Sequence, residues 1–202
     1  MKCDRSITAG MAALAVLAAD GCAGLHSNQA VPQVYTLEPG FAVAAGSATD
    51  DAATVQVLRP LAAPGLDGNH IALLRGGQRL DYYAASRWPA PLPELLQSLA
   101  IEALRSGGKF RAVQPDGTAF ATSEVLQIEI RRCQAEYAGD GSLAVHVLLH
   151  ATLGHRSDRS LIASVSAEST VPVAENRMQA VAAAFQQAVG AALGQLAARL
   201  TP

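Results

Sequence analysis

Three consecutive segments alternate between apolar and polar residues, and they constrain the fold more than any other feature of the chain. They cover residues 125–132, 142–153 and 160–172. Period-two alternation of this length predicts strands with one dry face and one wet face, as in an antiparallel sheet. The links between them, Gly139-Asp140-Gly141 and residues 154–159, are short enough for hairpins. The three segments are therefore predicted to form a meander.

The remaining periodic segments add shorter strands and two helices. Strands are predicted at 54–58, 70–74, 79–83 and 110–113, and helices at 91–105 and 174–199. Gly76-Gly77 favours a hairpin between the second and third of these strands. Each helix carries an apolar stripe at helical spacing, so two helices can cover the dry face of one sheet. The sequence thus predicts one α+β domain over residues 54–202, with a mostly antiparallel sheet and two main helices packed on one face.

The first 21 residues have the pattern of a secretory signal. Lys2 and Arg5 precede an uncharged, apolar run of 13 residues at 7–19. That run is too short to cross a hydrocarbon core of about 30 Å, which takes roughly 20 residues of helix. It has the length of the apolar region of a signal peptide. Residues 1–21 are therefore predicted to be a signal peptide.

Cys22 stands directly after this run. Gly21-Cys22 looks like the end of a bacterial lipobox, in which the cysteine is acylated and becomes the first residue. Ala19 and Asp20 depart from the usual pattern, which has leucine three residues before the cysteine. We predict lipidation of Cys22, and the alternative is a soluble periplasmic protein cut by the ordinary signal peptidase. Residues 22–53, rich in small and turn-forming residues, are predicted to be the lipid anchor and a flexible tether.

The cysteine count agrees with an anchor at Cys22. Cys3 lies within the signal, and if Cys22 carries lipid, Cys133 has no partner for an intramolecular disulfide. A single leftover thiol in an exported protein is most simply buried, because free cysteine behaves as a small hydrophobic residue. A disulfide between Cys22 and Cys133 is the alternative.

Charge and motifs argue against nucleic-acid binding and against catalysis. A formal net charge of -2 lacks the basic balance that nucleic-acid binding calls for. The pairs Gly76-Gly77 and Gly107-Gly108 lack the strand, helix and lysine of a phosphate-binding loop, and no G-x-S-x-G elbow is present. His146 and His150 would lie about 13 Å apart on a strand, too far to share one metal ion. We therefore expect no catalytic residue, no metal site and no cofactor.

Two surface features could contribute to an interface. The run His155-Arg156-Ser157-Asp158-Arg159 is either solvated turn charge or a contact for anionic lipid headgroups or an acidic partner. Trp88, preceded by Arg87, either packs the preceding hairpin against the first helix or offers an exposed interface aromatic. Trp88 and Arg87 are therefore candidate interface residues.

The order of several short motifs resembles a known family. Cys22 is followed by Tyr35-Thr36-Leu37-Glu38-Pro39, by Asp81-Tyr82-Tyr83 and Arg87-Trp88 ahead of the first helix, and by Leu126-Gln127-Ile128-Glu129-Ile130. This order resembles the ABC-type transport auxiliary lipoproteins, from about residue 22 to residue 200. The lipobox and an inserted segment at 60–68, rich in proline and glycine, depart from the family pattern.

The resemblance implies a role without catalysis. Such a protein would be an auxiliary component of an MCE-type ABC transport system, which moves phospholipid or other hydrophobic cargo between the inner and outer membranes. Its partners would be the substrate-carrying MCE protein with its ABC transporter, and the membrane through acylated Cys22, whose chains would include palmitate. Ala23 after the cysteine favours sorting to the periplasmic face of the outer membrane.

Two other functions stay open from the sequence. One is a free-standing periplasmic module that holds an acyl chain between helices and sheet, which requires an apolar internal pocket. The other is a structural envelope protein without a transport role, which forms a homo-oligomer through sheet edges or through Trp88.

Overall fold

The computed structural model describes residues 31–38, 40, 41, 49 and 51–202. Within these residues the strands are β1 (Gln33–Val34), β2 (Thr54–Val57), β3 (Leu61–Ala62), β4 (His70–Arg75), β5 (Arg79–Arg87), β6 (Ala112–Pro115), β7 (Glu124–Tyr137), β8 (Leu143–His155) and β9 (Leu161–Pro172). The helices are α1 (Leu92–Gly107) and α2 (Met178–Arg199). The α+β class is confirmed, and each predicted strand and helix from residue 54 onward has a counterpart.

The long strand β7 lies at the centre of the sheet. One of its edges pairs with β8 in antiparallel fashion from Glu124 to Tyr137. Its other edge takes three short parallel strands in succession, β2 at its beginning, β3 near its middle and β4 near its end. Outside these, β6 pairs with β2, β5 with β4, β1 with β5, and β9 with β8. The hairpins β7–β8 and β8–β9 confirm the predicted meander.

The sheet is mixed rather than purely antiparallel, and its two longest pairings, β7–β8 and β8–β9, are antiparallel as predicted. The pairs β4–β5, β7–β8 and β8–β9 are antiparallel, whereas β1–β5, β2–β6, β2–β7, β3–β7 and β4–β7 are parallel. Antiparallel neighbours can be joined by a hairpin, whose turn residues mark the sequence, but parallel neighbours need a long crossover. Val55 faces Glu124 in the β2–β7 pair. A pairing over such a separation leaves no local pattern to read.

A bulge divides β7 into two halves of opposite phase. The register with β8 shifts between Ile130 and Arg132. Before the shift Leu126, Ile128 and Ile130 face the core, and after it Cys133 and Ala135 do. A bulge adds one unpaired residue, so it moves the inward set from even to odd positions. The alternation therefore breaks at Arg131, which is why the predicted strand stops at residue 132 although the real strand continues to Tyr137.

The first helix is bounded by residues typical of its ends. Pro91 occupies the N-cap, Pro93 lies in the first turn, where its missing N–H has no partner to lose, and Glu94 adds a favourable charge there. Gly108 ends the helix with a φ of 64°, and its N–H donates to the Arg105 carbonyl. The helix thus starts and stops where the sequence predicts, to within two residues.

Both helices cover the core face of the sheet, as predicted. The apolar residues Ala100, Leu104, Leu193 and Leu196 from the helices meet Leu126 and Ile128 of β7. By length and hydropathy α2 could cross a membrane, but half of its most apolar window is buried in the domain. Val181, Phe185, Ala188, Val189 and Leu193 of α2 are at most 1% exposed. In this domain α2 is a core helix, and burial of its side chains stabilises the two-layer packing.

Gly154, where the β8–β9 pairing shifts register, allows a close approach of backbone to backbone. A Cβ on Gly154 would lie 2.9 Å from the carbonyl oxygen of Ser160, whereas a Cβ on Gly194, on the exposed side of α2, would meet nothing within 4 Å. We predict that Gly154→Ala lowers the free energy of unfolding by about 1–3 kcal/mol. Gly194→Ala should raise it by about 0.5–1 kcal/mol, because alanine loses less backbone entropy in a helix.

Urea unfolding monitored by circular dichroism measures both effects on the same scale. If the two alanine variants had equal stabilities, the close approach at Gly154 would not hold in solution.

Candidate functional site

The segment around Tyr35 and Leu37 is part of the folded domain. Gln33 and Val34 pair with Ser86 and Arg87 of β5, and the Tyr35 N–H donates to the Arg87 carbonyl at 2.9 Å. Leu37 is only 3% exposed and belongs to the core, and Tyr35 packs against the core in part. The compact unit accordingly runs from Pro32 to Pro202, so the predicted boundary at residue 54 is too late.

The site of predicted lipidation, Cys22, lies outside the described residues. Because the folded unit begins at Pro32, the chain between Cys22 and Pro32 is far shorter than the predicted tether of 22–53. Fully extended, it spans at most about 36 Å.

Trp88 and Arg87 occupy different environments although they are neighbours. Trp88 is 1% exposed, and its ring meets that of Phe185 in α2 edge to face, with 5.2 Å between centroids. Its backbone N–H donates to the Asn69 carbonyl at 2.8 Å. Trp88 therefore packs between the β4–β5 hairpin and the helices, and the alternative of an exposed aromatic is corrected by this burial. Arg87 is exposed, and its carbonyl holds β1.

The side chains of Asp81 and Tyr82 make polar contacts that stabilise the β4–β5 hairpin and the loop beside it, and Tyr83 is partly buried. The Asp81 carboxylate pairs with Arg75 at 3.1 Å and with Arg79 at 3.0 Å. The Tyr82 hydroxyl donates to the carbonyl of Gly65 at 3.0 Å and so fixes the inserted loop at 60–68. Burial raises the pKa of Tyr83 to about 12, with Tyr137 adding to the rise and Arg75 opposing it. These contacts give the motif a structural role.

The turn that joins β8 to β9 lies at one end of the sheet and carries His155, Arg156 and Arg159. We call these three residues the basic turn. The backbone N–H of Arg156 donates to the Ser123 carbonyl at 2.9 Å, and the side-chain Nε of Arg156 donates to Thr122 Oγ1 at 3.2 Å. Its guanidinium also donates to the Gln56 side chain. The turn and the ends of β7 and β8 enclose an open concavity of about 390 Å³. This is the size range of a small-ligand site.

A buried carboxyl lies beneath the same end of the sheet. Glu124 is 3% exposed, and its Oε2 has no hydrogen-bond partner among the described residues. Burial raises the pKa of the Glu124 carboxyl, and His155, which faces it across the β7–β8 pair, opposes that rise. The side chain points to the core face, while the floor of the concavity, with Gln127 and Thr152, lies on the opposite face. Glu124 is therefore separated from the concavity by the sheet.

His146 and His150 lie on the wet face of β8, as predicted, and bond to hydroxyl groups of β9. His146 Nδ1 lies 3.1 Å from Thr170 Oγ1, and His150 lies between Ser166 at 2.9 Å and Ser164 at 3.2 Å. Within residues 31–38, 40, 41, 49 and 51–202, no three side chains of metal-binding type come together. These histidines are satisfied by cross-strand hydrogen bonds.

The interior between helices and sheet is closely packed. Cys133 is 2% exposed and free, and burial raises the pKa of its thiol to about 12, so it is inert at neutral pH. The apolar cavity between α1, α2 and β7 has a volume of about 10 Å³, with room for about one water molecule. A cavity for an acyl chain would need hundreds of Å³.

A protein-family model matches this arrangement of segments. The model of the ABC-type transport auxiliary lipoprotein component matches residues 35–197, from the docked Tyr35 segment to the last turn of α2. This chain belongs to that family. The match begins within three residues of the start of the compact unit at Pro32, so it covers the whole of the folded domain except its ends.

Solved structures share the fold. Protein XCC0632 from Xanthomonas campestris superimposes with a TM-score of 0.70 at 25% identity, over 82% of this chain and 92% of that one. An uncharacterized protein gives a TM-score of 0.62 at 14% identity, over 83% and 97%. No curated protein sequence matches the chain.

The structure brings together residues that the sequence left apart. Gln56, Thr122 and Arg156 meet around the basic turn although they are distant in the chain. The signal that could have placed Tyr35 and Leu37 in the domain was their alternation with polar neighbours, which is typical of a strand. Gln56 and Arg156 come together because β2 pairs in parallel with β7, next to the end of β8. That pairing joins segments far apart in the chain, so no local sequence signal links the two residues.

The docked position of Leu37 can be tested by truncation. We predict that Leu37→Ala lowers the free energy of unfolding by about 2–4 kcal/mol, because it leaves a cavity in the core. Val31→Ala, at a position that is 87% exposed, should change it by less than about 0.5 kcal/mol. Guanidinium unfolding of both variants compares their free energies of unfolding. Equal values would mean that the segment around Leu37 is part of the tether and is not packed in the core.

Proposed function

We propose that this protein is a non-catalytic envelope lipoprotein, anchored through acylated Cys22 to the periplasmic face of the outer membrane. In this proposal it is an auxiliary component of an MCE-type ABC transport system that moves phospholipid or other hydrophobic cargo between the membranes. The observation that carries the proposal is the family match over residues 35–197. An auxiliary transport lipoprotein acts through its position and its contacts, and the family is not a known enzyme family.

The short anchor supports a role in positioning. β1 follows closely after Cys22 in the chain and is held to β5 by backbone pairing. A protein with several acyl chains binds a membrane firmly, whereas one chain alone binds only marginally. Ala23 after the cysteine supports release to the outer membrane.

One cavity between helices and sheet, lined by α1, α2 and β7, has a volume of about 10 Å³ and does not admit an acyl chain in this conformation. Its small size favours this role over that of an acyl-chain carrier. A carrier function would require the helices to separate from β7 and expose Leu126 and Ile128, which are at most 2% exposed. Cargo would then pass through the partner proteins, and this domain would dock on the substrate-carrying MCE protein.

The edge of β9 is an unfavourable place for a strand-paired oligomer. The Arg199 guanidinium donates to the Ser166 carbonyl at 2.7 Å, and the Gln195 amide donates to the Glu168 carbonyl at 3.1 Å. Side chains of α2 thus occupy backbone acceptors that an incoming strand would need. Covering an edge in this way is a common means of preventing sheet-to-sheet association.

The anchor is tested by mass and location. We predict that the full-length chain, expressed in a Gram-negative host, gives an intact mass that begins at Cys22 with added acyl chains and fractionates with the outer membrane. Cys22→Ser should abolish the added mass and the fractionation. Cys3→Ser, inside the signal, serves as the matched control and should leave both unchanged. Wild-type protein without acyl chains, released from the soluble periplasm, would contradict the anchor.

A further inference from the structure

Arg156 and Arg159 of the basic turn form no ion pair among the described residues, which is also true there of Arg87, Arg105, Arg111, Arg132 and Arg199. Five other arginines of this part of the chain form ion pairs, namely Arg59, Arg75, Arg79, Arg131 and Arg177. Asp158, between Arg156 and Arg159 in the chain, accepts hydrogen bonds from the Ser160 N–H at 2.9 Å and hydroxyl at 2.8 Å. These neutral donors leave the Asp158 carboxylate charged, so it offsets one of the two arginine charges of the turn.

Arg156 is held in place by neutral groups. Its side chain donates to Thr122 and Gln56, and its backbone N–H donates to Ser123. These contacts orient the guanidinium without cancelling its charge. A fixed guanidinium loses less entropy when it binds an anion than a free one does, and it matches phosphate well.

The concavity beside the two arginines has a mixed lining, in which apolar Val125 lies with polar Gln127 and Thr152. Gly154 and the basic turn lie at its rim. Its volume of about 390 Å³ is sufficient for a phosphate group with a glycerol moiety, and it lies in the size range of sites for small ligands rather than for whole proteins.

Two exposed apolar side chains belong to segments that contact the basic turn or pair beside it. Phe120 is 74% exposed and lies two residues before Thr122, which Arg156 contacts. Leu161 is 63% exposed and faces Gly154 in the β8–β9 register. Arginine beside exposed phenylalanine and leucine is the composition of surfaces that lie in a membrane interface. A site for a soluble anion has no need of exposed apolar residues.

We propose that this end of the sheet binds the phosphate headgroup of an anionic phospholipid at a bilayer surface, with Arg156 and Arg159 contacting the phosphate and Phe120 and Leu161 entering the interface. The inference deepens the proposed function and rests on its envelope location. It adds a second lipid contact, made by the folded domain itself and independent of the acyl chains on Cys22.

The position of the turn is compatible with the anchor. In the sheet, β1 lies four strands from β8 and near the level of the β7 bulge, so the basic turn is roughly 30–35 Å from β1 by strand spacings. The chain from Cys22 to Gln33 reaches at most about 40 Å. The two contacts could thus engage the same membrane.

The test uses the chain from residue 23 to residue 202, which keeps the compact unit Pro32–Pro202 and lacks the acylation site. Its partition onto vesicles of phosphatidylcholine, with and without phosphatidylglycerol, is measured by sedimentation. We expect binding only where phosphatidylglycerol is present, with an affinity that falls as salt rises. The double variant Arg156→Gln/Arg159→Gln should bind about 25-fold more weakly, since each basic residue near an anionic surface contributes about a factor of five.

The matched control is Arg132→Gln/Arg177→Gln, which removes the same charge from exposed positions outside the basic turn. It should partition as the unaltered chain does. Phe120→Ser keeps both arginines and should weaken binding by about tenfold, because it removes apolar burial. Thermal unfolding by circular dichroism confirms that each variant is folded, so a loss of binding can be assigned to the surface.

Three results would overturn the inference. Equal losses in the two double variants would mean that net charge alone drives binding. Inorganic phosphate that binds the concavity while vesicles do not would make the ligand a free anion. If neither vesicles nor inorganic phosphate bind, the basic turn is not a lipid site, and an acidic protein becomes the candidate ligand. Because the assay contains neither the lipid on Cys22 nor a partner protein, its failure is distinct from a failure of the anchor or of the transport role.

Discussion

Both edges of β7 are hydrogen-bonded, by β8 along one side and by β2, β3 and β4 in turn along the other. This double pairing fixes the positions of all the other strands and exposes one continuous core face to α1 and α2. The bulge after Ile130 lets a strand of this length keep apolar residues on that face in both halves. Loss of the pairing would separate the meander from the β4–β5 hairpin and from the β1 segment that follows the anchor.

The two ends of this arrangement suggest how a domain without evident chemistry can act. On one side, β1 connects the fold to the proposed lipid at Cys22 by a short stretch of chain. At the far end of the strands, the basic turn lines an open concavity, and Phe120 is exposed in the loop before β7. Between them, the apolar cavity lined by α1, α2 and β7 is only about 10 Å³ in volume. A rigid body with separated contacts can hold partners at a set distance, which is the task proposed for an auxiliary transport component.

Local patterns predicted the local structure well and the distant pairings poorly. The alternation in 142–153, the helical stripe of α1 and the Gly76-Gly77 turn each identified an element within a few residues of its bounds. The parallel pairing of Val55 with Glu124, the phase change at Arg131 and the docking of Leu37 depend on contacts between distant segments, which no window of sequence contains. Trp88 shows the same limit, because its partner Phe185 lies in the last helix.

The central claim is that this lipoprotein serves an MCE-type ABC system, and co-purification from its native membranes tests it most directly. The full-length chain, tagged at its C-terminus and expressed at its natural level, would be extracted in mild detergent and its partners identified by mass spectrometry. Our account predicts enrichment of an MCE-domain protein together with its ABC transporter subunits, and loss of that enrichment in Cys22→Ser. Wild-type protein recovered from the outer membrane without these proteins, with or without prior crosslinking, would contradict the account.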